Sequence, residues 1–212
     1  MTNIGEVNMK WEQDLIKDIR TGTEYDDQDV TDGRIPHPDP SGWPWEEVTD
    51  ANRQSIKERF LKVRDNCKAI LEIGVCRNEK DSITHIFLDN KLNETVYVGI
   101  DLDDKSFLND PEKNIWTIQG SSSSVTEAME IFKQLGITEF GFIFIDGWHS
   151  INQVLIDWEY TSMLSPNGIV GLHDVSSHPG PALFIKAINK DIWNVEENVC
   201  PQDHGVGFAW KK

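Results

Sequence analysis

The sequence predicts a doubly wound, Rossmann-like α/β fold: a seven-stranded, mostly parallel sheet whose last strand runs antiparallel, with helices on both faces. Three observations predict it. Runs such as Phe142-Ile143-Phe144-Ile145 and Ile169-Val170-Gly171-Leu172 are short and uninterruptedly apolar, as strands buried on both faces are. Stretches with helical spacing alternate with these runs, the pattern of a parallel sheet. The runs also end in acidic, imidazole or glycine residues, which places polar chemistry at the edge where open α/β sheets bind ligands.

Residues 1–48 stand apart. Pro36, Pro38, Pro40 and Pro44 crowd around Trp43 and Trp45, so a long regular element is excluded there. Two tryptophans are costly to leave in water. An irregular acidic arm is expected, either a partly disordered leader or a segment that caps the site or contacts a second copy in a homo-oligomer, ahead of one domain over residues 49–212.

From Asp50 the spacing turns helical, with Ile56, Phe60, Leu61 and Val63 on one face and Thr49 or Asp50 as N-cap. Ala69 to Ile73 reads as the first strand, followed by a helix through Ile83, Ile86, Phe87 and Leu88. Thr95 to Ile100 and Ile115 to Ile118 are the second and third strands. Val125 to Leu135 is a helix with Ala128, Met129, Phe132 and Leu135 inward, and Phe142 to Ile145 is the fourth strand. The next helix carries Ile151, Val154, Leu155, Trp158 and Met163 and stops before Ser165-Pro166-Asn167-Gly168, a turn by its Pro, Asn and Gly. Ile169 to Leu172 is the fifth strand, and a helix through Phe184, Ile185 and Ile188 follows Pro181. Ile192 to Val199 and Val206 to Trp210 close the chain as a hairpin whose loop holds Pro201 and Gly205.

A chain of 212 residues suits one domain with a sizeable core. Its formal net charge is -16, and residues 1–50 hold thirteen Asp/Glu against four Lys/Arg. With no Lys/Arg cluster, nucleic acid is not an expected partner. No stretch approaches the roughly 18 apolar residues of a membrane span, and the polar start Met1 to Gln13 has no signal-peptide core. Cys67, Cys76 and Cys200 form neither a C-x-x-C pair nor a disulfide framework. A cytoplasmic protein without membrane partners is expected.

Parallel neighbours end on the same edge, so Asp146 and His149 after the fourth strand should meet His173 and Asp174 after the fifth. Leu71-Glu72-Ile73-Gly74-Val75 lies where the first strand turns into its helix, a position at which backbone can approach a nucleotide. Of a G-x-G-x-x-G fingerprint only Gly74 is present, which disfavours a dinucleotide pyrophosphate, and there is no P-loop. Gly99-Ile100-Asp101 ends the second strand, where a carboxylate can accept hydrogen bonds from both hydroxyls of a ribose. Asp103 and Asp104 follow, so a solvated acidic turn competes with that reading. Gln119-Gly120-Ser121-Ser122 either approaches an adenine edge or caps the next helix. Trp148 is a candidate substrate platform or a packing residue, and His178, Pro179 and Gly180 form the loop after the fifth strand.

These residues resemble the class I S-adenosylmethionine-dependent methyltransferases. The resemblance is nearest to the metal-dependent small-molecule O-methyltransferases that include the macrolide sugar O-methyltransferases and the cephalosporin hydroxylase group. It covers Ala69 to about Lys190 and rests most on Ile145-Asp146-Gly147-Trp148-His149, Leu164-Ser165-Pro166-Asn167-Gly168 and Leu172-His173-Asp174. The resemblance implies S-adenosyl-L-methionine as cofactor, bound by Glu72, Gly74, Val75, Asp101, Leu102, Gly120, Ser121, Ser122 and Asp146. It further implies a divalent metal, Mg or Mn, on Asp146, His173 and Asp174, with His149 as catalytic general base. Two positions depart from the family. His173 stands where relatives carry a carboxylate, and an imidazole favours Mn, Fe, Zn or Ni over Mg. Asn78-Glu79 replaces the usual Gly-Gly, which adds a carboxylate near that of the cofactor.

The expected function is therefore methyl transfer to a hydroxyl of a small molecule, a sugar or a glycosylated metabolite. Two alternatives stand beside it. Two Asp and two His at a sheet edge equally suit a metal-dependent hydrolase, which would need neither Asp101 nor Gly74. A degenerate methyltransferase fold used for binding or assembly would tolerate Asn78-Glu79 and the missing carboxylate.

Overall fold

The computed structural model describes residues 49–75, 83–176 and 178–212. Expectations for the arm 1–48 and for Cys76, Asn78 and Glu79 lie outside the described residues. Seven strands form one sheet: β1 (Ala69–Ile73), β2 (Val96–Asp101), β3 (Ile115–Gln119), β4 (Phe140–Ile145), β5 (Leu164–His173), β6 (Trp193–Glu196) and β7 (Val206–Lys211). Their order is β3-β2-β1-β4-β5-β7-β6. Strands β1 to β5 pair in parallel, and β7 runs antiparallel to both β5 and β6, as expected. Strand order reverses between β1 and β4, so the crevice of a doubly wound sheet opens beyond Ile73 and Ile145, which are register partners.

Period-two alternation sorts the strand residues onto two faces. Leu71, Ile73, Val98, Ile100, Ile143 and Ile145 join one buried cluster with residues of α3 (Val125–Gln134), α4 (Ile151–Trp158) and α5 (Pro179–Ala187). Ile70, Tyr97, Phe142 and Phe144 join the other, with residues of α1 (Asp50–Val63) and α2 (Ile83–Asn90). On that second face the Phe60 ring meets Phe87 at 5.7 Å and Phe142 at 5.6 Å, both edge-on. Helix α1 is capped by Thr49, whose hydroxyl accepts from the Asn52 amide.

Two expectations are corrected. Leu61 does not join the inward face of α1; it is 36% exposed, while Asn52 is fully buried with Ile56 and Phe60. Ser165-Pro166-Asn167-Gly168 does not precede the fifth strand but lies within it. Phe140 pairs with Leu164 and Phe142 with Ile169, so the four residues form an irregularity spanned by the ladder. Pairing on both sides of the turn residues overrides their local preference.

Candidate active site at the carboxyl edge of the sheet

The strand ends assemble as the parallel topology demands. At β1, Gly74 has φ +82°, and a Cβ there would sit 1.9 Å from the Asp146 carbonyl oxygen. Glycine is thus required where the ends of β1 and β4 touch, with or without a ligand. The Val75 amide donates to Asp101 Oδ2 at 2.7 Å and the Asp103 amide to Oδ1 at 2.8 Å. These two bonds orient the Asp101 carboxylate, and each oxygen keeps acceptor capacity for a hydroxyl. Leu102 is 72% exposed beside it, and a Cβ on Gly120 would meet nothing within 4 Å, so this side is open.

Glu72, an expected cofactor residue, has its side chain enclosed by the fold. It is 1% exposed, on the α1/α2 face, and its carboxyl group meets the hydroxyls of Tyr97 and Thr84. Burial pushes its pKa up to about 8, opposed by those two hydroxyls. Strand alternation is the reason, since Leu71 and Ile73 face the other layer.

Ser121 and Ser122 lie in the loop between β3 and α3. Ser121 Oγ accepts from the Ser123 amide, while Ser122 is tied to α4 and the turn after it. Gln153 donates to Ser122 Oγ at 2.9 Å and to Asp157 Oδ1 at 2.8 Å, and Tyr160 donates to the Ser122 carbonyl at 2.7 Å. Burial pushes Asp157 up to about 6, against Ser122 and Gln153.

Beyond β4 and β5 four of the chain's six histidines gather around Asp174. Asp174 ends β5 in the left-handed region at φ 63° and is 2% exposed. Its Oδ2 lies 2.7 Å from His149 Nε2, and its Oδ1 lies 3.1 Å from both His173 Nδ1 and His204 Nδ1. Burial alone would raise its pKa, but His173, with His149 and His204, holds it well below the usual carboxylate range. His173 Nδ1 also lies 3.3 Å from Asp146 Oδ1. Burial would lower the His173 pKa, yet Asp174 and Asp146 raise it well above the ordinary value. Asp146 is pushed up by burial, with His173 pulling the other way. His178 stacks on His149 with ring centroids 3.8 Å apart. A small cleft is lined by Asp146, Gly147, Trp148, His149, His173 and Pro181, and Trp148 is 58% exposed there.

Three residues that sequence reasoning missed complete this edge. Asn52 Nδ2, from the first turn of α1, meets His173 Nε2 at 3.2 Å and donates to Asp203 Oδ1 at 3.2 Å. Asp203 also accepts from Thr49 Oγ1 at 2.5 Å and from the Gly205 amide at 2.7 Å. His204 joins from the same β6–β7 loop. The signal was the antiparallel register: His173 pairs with Val206, which brings the residues just before β7 beside Asp174.

Comparison with solved structures places this architecture. The MycE methyltransferase of the mycinamycin biosynthetic pathway, in complex with Mg and S-adenosylhomocysteine, superposes with a TM-score of 0.55 at 18% identity over 74% of this chain. The fold is that of the class I methyltransferases. This chain spans about half of MycE, 48% of its length. A TDP-rhamnose 3'-O-methyltransferase of calicheamicin biosynthesis matches with a TM-score of 0.56 at 12% identity, covering 94% of this chain and 92% of that one. An S-adenosylhomocysteine-bound methyltransferase from Podospora anserina matches with 0.53 at 18% identity over the whole of both chains. No protein-family model matches the sequence, and no curated protein does either. No helix among the described residues is long and apolar enough to cross a membrane.

Two donor groupings meet the distance condition for a metal, Asp146-His173-Asp174 and His149-Asp174-His178. The first, the set implied by resemblance, fails on the polarity of its outer contacts. An imidazole that ligates a metal through one nitrogen donates its other N–H to an acceptor. Here the outer nitrogen of His173 faces the Asn52 amide N–H, a donor, and its inner nitrogen aims at two carboxylates. His173 does not fit as a ligand of Mg or Mn.

Proposed function

We propose that the chain is an S-adenosylmethionine-dependent O-methyltransferase acting on a hydroxyl of a small molecule, a sugar or a glycosylated metabolite. The observation that carries the reading is the pairing, across the switch point, of an oriented carboxylate on β2 with a histidine–carboxylate pair at the ends of β4 and β5. The structural neighbours that hold S-adenosylhomocysteine support the cofactor.

In this reading Asp101 accepts from the ribose hydroxyls. Leu102, Gly120, Ser121 and Ser122 border the adenine, and the backbone of Gly74, Val75 and Asp146 borders the methionine portion. His149 donates its Nε2 proton to Asp174 Oδ2, so the lone pair is on Nδ1. The acceptor hydroxyl oxygen attacks the methyl carbon, the carbon–sulfur bond breaks with its electrons going to sulfur, and the hydroxyl proton passes to His149. General-base assistance of this kind is worth about 10²–10⁴ in rate, and alignment of the reacting atoms can supply several kcal/mol more.

Calorimetric titration with S-adenosylhomocysteine tests the reading. The wild type should bind, and Asp101→Ala should lose about 1.5–3 kcal/mol, a factor of about 10 to 100, for hydrogen bonds to a charged group. Absence of binding, or an Asp101→Ala affinity equal to wild type, refutes the assignment.

A further inference from the structure

We propose that the Nδ1 proton of His173 takes the place of a divalent ion between Asp146 and Asp174, and that Asn52 and Asp203 fix it there. The consequence for catalysis rests on the methyl-transfer reading; the proton's position does not. The argument runs outward from Asp203. The Thr49 hydroxyl donates to its Oδ2 and the Gly205 amide to its Oδ1, and Oδ1 accepts in addition from Asn52 Nδ2.

That contact decides which way the Asn52 amide lies. Turned over, its oxygen would face the Asp203 carboxylate at 3.2 Å, acceptor against acceptor. Held as it is, the NH₂ has one hydrogen for Asp203 and one for His173 Nε2. Nε2 therefore accepts, and the ring proton is on Nδ1; Asp146 and Asp174 favour a second ring proton, but at Nε2 it would stand against the Asn52 N–H, and that contact opposes it. Nδ1 lies 3.1 Å from Asp174 Oδ1 and 3.3 Å from Asp146 Oδ1, so one N–H is shared by the two carboxylates an ion would otherwise join. Asn52, His173 and Asp203 are all buried.

His173 is thus a positioning residue. Its proton holds Asp174 Oδ1, and the other oxygen of the same carboxylate holds His149. Asp203, Asn52, His173, Asp174 and His149 form one chain of contacts from the β6–β7 loop to the base. A carboxylate at position 173 would need an external cation to stand beside Asp146 and Asp174; an imidazole brings its own proton.

Nitrogen-15 spectra of the full-length protein labelled in its histidine rings, recorded with and without Mg²⁺ and Zn²⁺, test this directly. His173 should show a protonated Nδ1 and an unprotonated Nε2, unchanged by either ion. A proton on Nε2, or a metal-induced change at Nδ1, overturns the proposal. The double variant Asn52→Asp/Asp203→Asn exchanges amide and carboxylate, puts an acceptor against Nε2 and frees the Nδ1 lone pair. It should gain Mg²⁺ or Zn²⁺ affinity at least about tenfold by calorimetry; a folded variant with unchanged tautomer and affinity counts against the proposal. If that variant fails to fold, the wild-type spectrum decides alone. S-adenosylhomocysteine titration of the same sample separates the two readings. Cofactor binding with metal on His173 sinks the ion replacement only, whereas a protonated Nδ1 without cofactor binding sinks the methyltransferase only.

Discussion

Replacing Glu72 by Gln should reverse sign in its effect on stability as pH rises. Glu72 is almost wholly buried, and its carboxyl group titrates near pH 8 in the folded chain against an ordinary 4.5. Burial is the main cause. A folded-state pKa above the unfolded one means that the native protein holds a proton which the unfolded chain has released. Stability is then full below pH 4.5 and is lost as pH rises toward 8, at about 1.4 kcal/mol per pH unit. Across that window the loss is on the order of 5 kcal/mol. The acid form can donate to Tyr97 Oη and accept from Thr84, contacts a glutamine amide reproduces imperfectly, so at pH 4.5 the variant should be about 1 kcal/mol less stable. By pH 8 it should be the more stable protein by several kcal/mol. Urea denaturation followed by tryptophan fluorescence at closely spaced pH values measures both curves, and their difference removes groups such as Asp157 that titrate in both. A difference independent of pH would refute the reasoning and show Glu72 ionised in the native state.

Two further substitutions follow from the same edge. Gly74→Ala places a methyl group against the Asp146 carbonyl in a left-handed residue. It should cost about 1–2 kcal/mol in backbone strain and about 1–3 more in overpacking, seen as a lower urea midpoint together with lost S-adenosylhomocysteine binding. His149→Gln should lower methyl transfer about 10²–10⁴-fold while leaving S-adenosylhomocysteine affinity unchanged, checked by single-turnover transfer from labelled cofactor and by calorimetry.

The convergence of Asp146, His149, His173 and Asp174 was legible because it needed only two facts, that both runs are strands and that parallel neighbours end together. The partners of Glu72 were legible in principle: its parity with Ile70, opposite to Leu71 and Ile73, already sends its side chain toward Tyr97 and Thr84. Asn52 looked like a polar residue in a helix start, and nothing local marks it as buried. Its reason is His173, 121 positions away. Asp203 and His204 lay in a loop whose register with β5 fixes their place, and register comes from pairing that no local pattern encodes. Ser165-Pro166-Asn167-Gly168 shows the opposite failure, a correct turn signature absorbed into a ladder held on both sides.

Charge adds a last consequence to the proposed reaction. S-adenosylmethionine carries a sulfonium and its product does not, so the two ligands differ by one positive charge and one methyl group. The chain bears a formal charge of -16, and Asp101, Asp146 and Asp174 stand along the edge that would hold the ligand. A negative field there favours the substrate form over the product and assists release. Asp174, however, is engaged at contact distance by three histidines, so groups at the site itself are a second source of discrimination. Salt distinguishes the two cases, because screening at a Debye length of about 8 Å at 0.15 M shortens to about 3 Å at 1 M. If the acidic surface supplies the preference, the ratio of S-adenosylmethionine to S-adenosylhomocysteine affinity should fall as salt rises across that range. A ratio that stays constant would mean that the discrimination is made at contact distance, by groups bordering the sulfur, and that the surface charge has no part in it.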